Sequence, residues 1–205
     1  MVDATSPVVG SDDPGACERA AAELRAGGTL ILPTDTVYGL AALPTHPGAV
    51  ERLFELKDRG AHQPVAVLVA EVHQALELVD FESAEVERWM AELWPGPLTL
   101  VLARSAFARQ LALGGDDRTI GVRCPDHSFV RALAAEVGPI ATTSANRHGE
   151  PTPTSAREAA ASLAGAVSLV VDGGPAGTVA STVVDASVTP WAILREGAIP
   201  AASLS

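Results

Sequence analysis

Lysine is almost missing from this 205-residue chain: Lys57 is the only one, among fourteen basic residues. Where a generic positive surface is wanted the chain uses arginine. One retained lysine points either to a need for a compact ammonium at that position or to chance in a biased composition. Cysteine is equally scarce. Cys17 and Cys124 lie far apart, there is no CxxC, and the five histidines are scattered, so neither a zinc centre nor a disulfide framework is encoded. That usage fits a reducing compartment. No apolar run approaches the roughly 20 residues needed to span a bilayer. The first fifteen residues are polar and acidic, without the basic and apolar segments of a secretory signal. A cytoplasmic protein with no membrane contact is expected. Aromatic residues make up 4% of the chain and the net charge is −11. With no aromatic-basic stripe, that argues against gripping nucleic acid through the overall field and allows at most weak tRNA binding. Several signatures are absent too: no GxxxxGK[ST] loop, no GxGxxG, no GxSxG elbow and no HExxH.

What is present is an alternation of helical and strand patterns in a chain that is 47% hydrophobic. Residues 1–13 read as a disordered leader, and 14–205 as one domain. Asp13 and Pro14 have the form of an N-cap and first helical residue, with Gly27 past the end. Thr45 can cap a second helix running to Lys57. Residues 71–79, 83–93 and 126–137 read as further helices, with Asp126 capping the last. Ser155 and Glu158 have capping-box spacing. Strands are expected near 29–32, 65–69, 98–102, 119–123, 140–142, 167–171, 182–184 and 192–195, while 103–118 is ambiguous. The class is α/β, a single-domain open twisted sheet flanked by helices. The sheet is expected to be mixed, because no helix separates the strands after residue 180.

Several polar loops follow directly on short apolar strands, where open α/β sheets place ligands. They are 34–36, 57–63, 119–125, 144–154 and 173–182, with Arg195 in addition. They supply hydroxyls, arginine and glycine, the set that binds carboxylate and phosphate oxygens. Each loop alone also reads as turn chemistry or a surface ion pair. Taken together, the residues indicate an α/β domain that binds a small anionic ligand.

The ordered combination goes further. Leu32-Pro-Thr-Asp-Thr-Val-Tyr-Gly-Leu40, Glu55-Leu-Lys-Asp-Arg59, Leu93-Trp-Pro-Gly-Pro-Leu-Thr99, Gly121-Val-Arg-Cys-Pro-Asp-His127, Thr143-Ser-Ala-Asn146, Ser181-Thr-Val-Val-Asp185 and Ile193-Leu-Arg-Glu-Gly197 follow one another along residues 14–200. In this order they strongly resemble the YrdC/Sua5 family of threonylcarbamoyl-AMP synthases, in its short, single-domain form. The resemblance implies a YrdC-like fold with a concave basic cleft. It also implies synthesis of L-threonylcarbamoyladenylate from L-threonine, bicarbonate or CO2 and ATP, with release of pyrophosphate. That is the first step of threonylcarbamoyladenosine modification of tRNA, and a separate tRNA-threonylcarbamoyl transfer complex would act downstream.

By the same resemblance, Thr36, Arg123, Ser144 and Ser181 should hold threonine, with Arg123 on its carboxylate. Lys57, Arg59, Gln63, Thr119, Asn146, Thr154 and Arg195 should surround ATP, and Lys57 and Arg59 are the pair expected to matter most for catalysis. Mg²⁺ would ride with the triphosphate, without a metal site in the protein. Positioning and charge stabilisation suffice for in-line attack on phosphorus, which explains why no triad is visible. The sequence departs from the family pattern at Gly60, where proline is usual, at Gln63, which brings no charge, and at Leu68, where the long form often has histidine. An RNA-binding module of the same fold is the alternative. A carbamate-adenylating domain of hydrogenase maturation is a further one, disfavoured because the chain lacks the cysteine clusters that accompany it.

Overall fold

The computed structural model describes residues 6–58, 64–147 and 149–204. The strands are β1 (Val8–Gly10), β2 (Leu30–Leu32), β3 (Gly39–Ala42), β4 (Ala66–Leu68), β5 (Val79–Asp80), β6 (Leu98–Arg104), β7 (Thr119–Arg123), β8 (Ile140–Ser144), β9 (Leu169–Asp172), β10 (Thr182–Asp185) and β11 (Ala192–Arg195). The helices are α1 (Ala16–Arg25), α2 (Ala49–Leu56), α3 (Val72–Leu76), α4 (Ala84–Leu93), α5 (Ser128–Val137) and α6 (Ala156–Ser162). All the strands join one sheet in the order β1-β9-β2-β3-β8-β4-β7-β6-β10-β11, with β5 pairing on β6. The sheet is mixed, as expected: β2–β9, β4–β7 and β6–β10 are parallel, while β3–β8, β6–β7 and β10–β11 are antiparallel.

Side-chain alternation along the strands sorts the apolar residues onto two faces. On one face Ile31, Leu40, Val67, Leu100, Val122 and Val170 pack with Val50 and Leu53 of α2, Trp89 of α4 and Ala159 of α6. On the other, Leu30, Leu32, Ala41, Ile140 and Leu169 pack with Ala20 and Leu24 of α1 and Val130 and Leu133 of α5. The second layer is short. It covers β9, β2 and parts of β3, β8 and β4, and stops before β7, β6 and β10. Those strands bury Leu98, Leu100, Leu102, Ile120 and Val184 in the first layer. Their opposite face carries the small residues Thr99, Val101, Gly121 and Val183, over which no helix of the described residues lies, and this face lines a cleft.

Several local expectations are corrected. Residues 6–13 are not a free leader. Val8–Gly10 pairs in parallel with Val170–Asp172, and Ser6 Oγ accepts from the Val167 amide at 3.0 Å. Residues 1–5 lie outside the described residues. Asp13 does not cap α1: Gly15 in the left-handed region is the N-cap, and the Asp13 carboxylate turns back to accept from the Gly10 amide at 2.6 Å. Similarly Gly48, not Thr45, precedes α2, and His127, not Asp126, precedes α5. The helix expected over 71–79 ends at Leu76, and the chain extends into β5 to pair with the end of β6. The Ser155 cap is as expected, accepting from the Glu158 amide at 3.3 Å; Glu158 reaches back to Thr154, satisfying its amide and hydroxyl.

Candidate active site

The cleft has a volume of about 570 Å³. That lies within the roughly 300–1,000 Å³ of small-molecule sites. Its walls bring together Thr36, Thr119, Arg123, Ser144, Ser181 and Arg195, and among the described residues its charged side chains are Arg123, Arg195 and Asp185. Six of the residues singled out by sequence therefore converge on one space from the β2–β3 loop, β7, β8, the start of β10 and β11. Leu68, which stands where the long form has histidine, also lines it. Gly39 forms part of the floor because a Cβ there would come within 2.8 Å of Thr142 Oγ1.

Arg123 ends β7 and is 6% exposed. Its Nε donates to Gly96 O at 3.0 Å, Nη1 to Thr36 Oγ1 at 2.9 Å and Nη2 to Asp35 Oδ1 at 2.5 Å. A guanidinium has five N–H donors, so one remains on each terminal nitrogen, enough to meet the two oxygens of a carboxylate. Burial pushes the Arg123 value down, and the Asp35 carboxylate opposes that shift. Asp35 is the residue the sequence reading missed. A buried arginine requires a counter-charge, and the aspartate between Thr34 and Thr36 supplies it. Thr34 braces the same loop: its hydroxyl donates to Val37 O at 2.6 Å and accepts from the Thr36 and Val37 amides.

Arg195 lies across the cleft. Its Nε and Nη2 donate to Ser181 O at 3.1 and 2.9 Å, and Nη2 also reaches Ser181 Oγ at 3.1 Å. Ser181 Oγ shares a hydrogen bond of 2.9 Å with Thr99 Oγ1, so Thr99 is a second contributor that sequence reasoning did not single out. Burial lowers the Arg195 value, and the positive charge of Arg123 lowers it further. Two guanidiniums that feel one another across a polar cleft favour an anion between them. The approach to Ser181 depends on Gly197, where a Cβ would lie 2.2 Å from Ala180 O. Tyr38 fastens the opposite loop, its one hydroxyl proton donated to Gly174 O at 2.6 Å with Asp172 Oδ1 also near at 3.1 Å, while its oxygen accepts from the Gly173 amide.

Lys57 follows the last residue of α2 and is 3% exposed. It does not form the cleft surface. Its ammonium sits behind the 144–146 turn, donating to Ser144 O and to Asn146 O (2.5 Å), with Ser144 Oγ and Asn146 Oδ1 each at 3.4 Å. A compact ammonium with three protons suits such converging acceptors better than a planar fork. Asn146 is turned inward as well, donating to Glu150 O at 2.6 Å. Thr154 is outside the cleft, its hydroxyl on Glu158. Arg59 and Gln63, with Gly60 between them, lie outside the described residues.

Comparison with known proteins agrees with this fold. A family profile for Sua5, YciO and YrdC, described as "Telomere recombination", matches residues 22–197. A threonylcarbamoyl-AMP synthase of Pyrococcus abyssi is 39% identical over 88% of this chain and 54% of its own length, and one of Bacillus subtilis is 37% identical over 97% of this chain and 58% of its own. The chain thus spans little more than half the length of these two relatives. The crystal structure of P. abyssi Sua5 complexed with L-threonine superposes with a TM-score of 0.88 at 37% identity, covering 97% of this chain and 59% of that one. Escherichia coli YciO matches over 95% of this chain and 96% of its own, with a TM-score of 0.84 at 25% identity. A profile spanning both arginines and every wall of the cleft, with relatives above one-third identity over most of the sequence, establishes that the chain belongs to the Sua5/YciO/YrdC family.

Proposed function

We propose that the chain synthesises L-threonylcarbamoyladenylate from L-threonine, bicarbonate or CO2 and ATP, releasing pyrophosphate. The observation that carries this is the pairing of Arg123 and Arg195 across one hydroxyl-lined cleft. Relatives of the same fold are named for this activity, and one was solved with L-threonine bound.

The α-carboxylate of threonine pairs with the two remaining protons of Arg123, while Thr36, Ser144 and Ser181 contact its polar atoms. The neutral amine takes up CO2, or bicarbonate with loss of water, to give a carbamate. A carbamate oxygen forms a bond to the α-phosphorus of ATP, and the bond from that phosphorus to the bridging oxygen breaks to release pyrophosphate. Arg195 and Thr119 act on the nucleotide side, and the family resemblance adds Arg59 and Gln63 to the residues that serve ATP. Lys57 contributes through the wall: it holds Ser144 and Asn146 in place and adds positive charge behind them. Thr154 and Asn146 reach ATP only if their present partners are exchanged for it. The protein's contribution is to place reactants together and exclude water from a labile carbamate.

Among the described residues no group of three or more His, Cys, Asp or Glu is arranged to hold a metal. Mg²⁺ arriving on the triphosphate would supply charge neutralisation there. Among the described residues, no helix is long and apolar enough to cross a membrane. We place the reaction in the cytoplasm, where ATP is at hand and the free thiols Cys17 and Cys124 persist, with the tRNA-threonylcarbamoyl transfer complex taking the product.

The test is pyrophosphate release by the purified protein with ATP and Mg²⁺, leaving out threonine and bicarbonate in turn. Release that requires both is expected. Release independent of threonine, or tight tRNA binding without turnover, would refute the reaction and favour the RNA-binding reading.

A further inference from the structure

A second cavity, of about 480 Å³, lies away from the cleft, between β5, the start of α4 and the β10–β11 connection. Its apolar walls include Phe81, Trp89 and Trp191, and its ionisable groups are Asp80, Glu82 and Glu85. The two indoles meet edge to face, with centroids 5.2 Å apart at 84°. Trp89 is fixed, 1% exposed, with its N–H on Leu204 O at 3.1 Å. Val188, on the rim, is 48% exposed. Glu85 also approaches Arg88 at 4.0 Å, but both side chains are about 40% exposed and solvent screens that contact.

Three carboxylates around an indole-lined hollow, with no basic residue in the lining among the described residues, form a site for a cation that is flat or has an apolar stem. An arginine side chain fits both parts: its guanidinium meets the carboxylates in pairs and its methylenes lie along the rings. The exposed Val188 extends the contact to an apolar neighbour of that arginine. Phosphate-bearing polymers are repelled by the same carboxylates. We propose that this cavity is a docking site for an arginine-bearing segment of a partner protein. The site does not depend on which reaction the cleft performs. It does share an element with the cleft: residues 186–191 wall the cavity, while Ser181, Leu194 and Arg195, at the other end of the same hairpin, line the cleft. An occupant would therefore press on the hairpin that carries Arg195.

The probe is the peptide acetyl-Val-Arg-Val-amide, with acetyl-Val-citrulline-Val-amide as its uncharged isostere, titrated against the intact chain while tryptophan emission and calorimetric heat are followed. Saturable binding of the arginine peptide is expected, weakened about ten-fold or more by citrulline or by the surface double variant E82Q/E85Q, the effect of losing a charge-assisted contact. Trp191→Phe should remove most of the emission change while leaving binding heat detectable. The proposal is overturned if the two peptides bind equally, if E82Q/E85Q binds as well as wild type, or if no saturation is seen by about 10 mM, ten-fold beyond the millimolar scale of weak contacts. Protection of Trp191 by RNA in place of the peptide would overturn it as well.

Discussion

Replacing Lys57 by methionine keeps the length of the side chain and removes only the ammonium. Ser144 O and Asn146 O would then lose their shared donor in a part of the protein where Lys57 itself is 3% exposed. Each buried acceptor left unsatisfied costs about 1–3 kcal/mol. Relief of the charge's own desolvation returns part of this, so a net loss of about 3 kcal/mol is expected. In a chain of this size each kcal/mol lowers the melting temperature by roughly 2–4 °C, giving about 6–12 °C. Differential scanning calorimetry on wild type and Lys57→Met measures it, and pyrophosphate release on the same samples, assayed well below the melt, should fall together with threonine affinity. Lys57→Arg should not restore either, because a larger, planar guanidinium would have to fit a space packed so closely around an ammonium that Lys57 is 3% exposed. A Lys57→Met melt within about 2 °C of wild type, against a scale of 2–4 °C per kcal/mol, would refute the reasoning. The ammonium would then be facing the cleft, not holding its wall.

Asp35→Asn should raise the KM for threonine by about ten-fold or more with a smaller change in kcat, since it loosens Arg123 without touching ATP; equal losses in both would mean Asp35 serves the chemical step. His127 carries a buried Nδ1 without a hydrogen-bond partner, and burial lowers its pKa from 6.5 despite Asp35, Asp12 and Asp126 nearby. The unfolded chain therefore binds the proton more readily, so stability is complete above about pH 6.5 and is lost as pH falls from there towards the folded value, with a slope of at most about 1.4 kcal/mol per pH unit. Urea denaturation at pH 7.5 and 5.5 reads this difference, and an undiminished slope in His127→Gln would assign it to other groups.

Some of this was legible because it depended on local pattern. Leu98, Leu100 and Leu102 alternate with Thr99 and Val101, which is how a strand records that one face is in the core and the other is not. Ser155 and Glu158 announced a helix start. Family motifs placed Thr36, Arg123, Ser144, Ser181 and Arg195, and the structure brings them into one cleft. What escaped was direction. Nothing near Lys57 says whether its ammonium faces a ligand or a carbonyl 87 residues away, and the answer comes from α2 burying Leu53 and Leu56 beside it. Asp35 escaped for the same reason, its partner lying 88 residues along the chain. Asp13 and Asp126 had the right chemistry for caps, but Gly15 and His127 hold the capping positions.

The order of the strands has a consequence for synthesis on the ribosome. Thr36 lies near the beginning of the chain and Arg195 near its end, yet both line one cleft, and β1 and β2 lie on either side of β9. At roughly 5–20 residues per second, some 8–30 s separate the emergence of one wall from that of the other. Until residue 172 is made β2 lacks its parallel neighbour β9, and until residue 181 the cleft lacks Ser181, so the cleft cannot form early. Binding competence arrives in one late event, when the β10–β11 hairpin closes on β6. A nascent chain stalled before residue 195 would lack the Arg195 wall of the cleft, and folding of so non-local a sheet is expected to be slow by the standard of helical proteins.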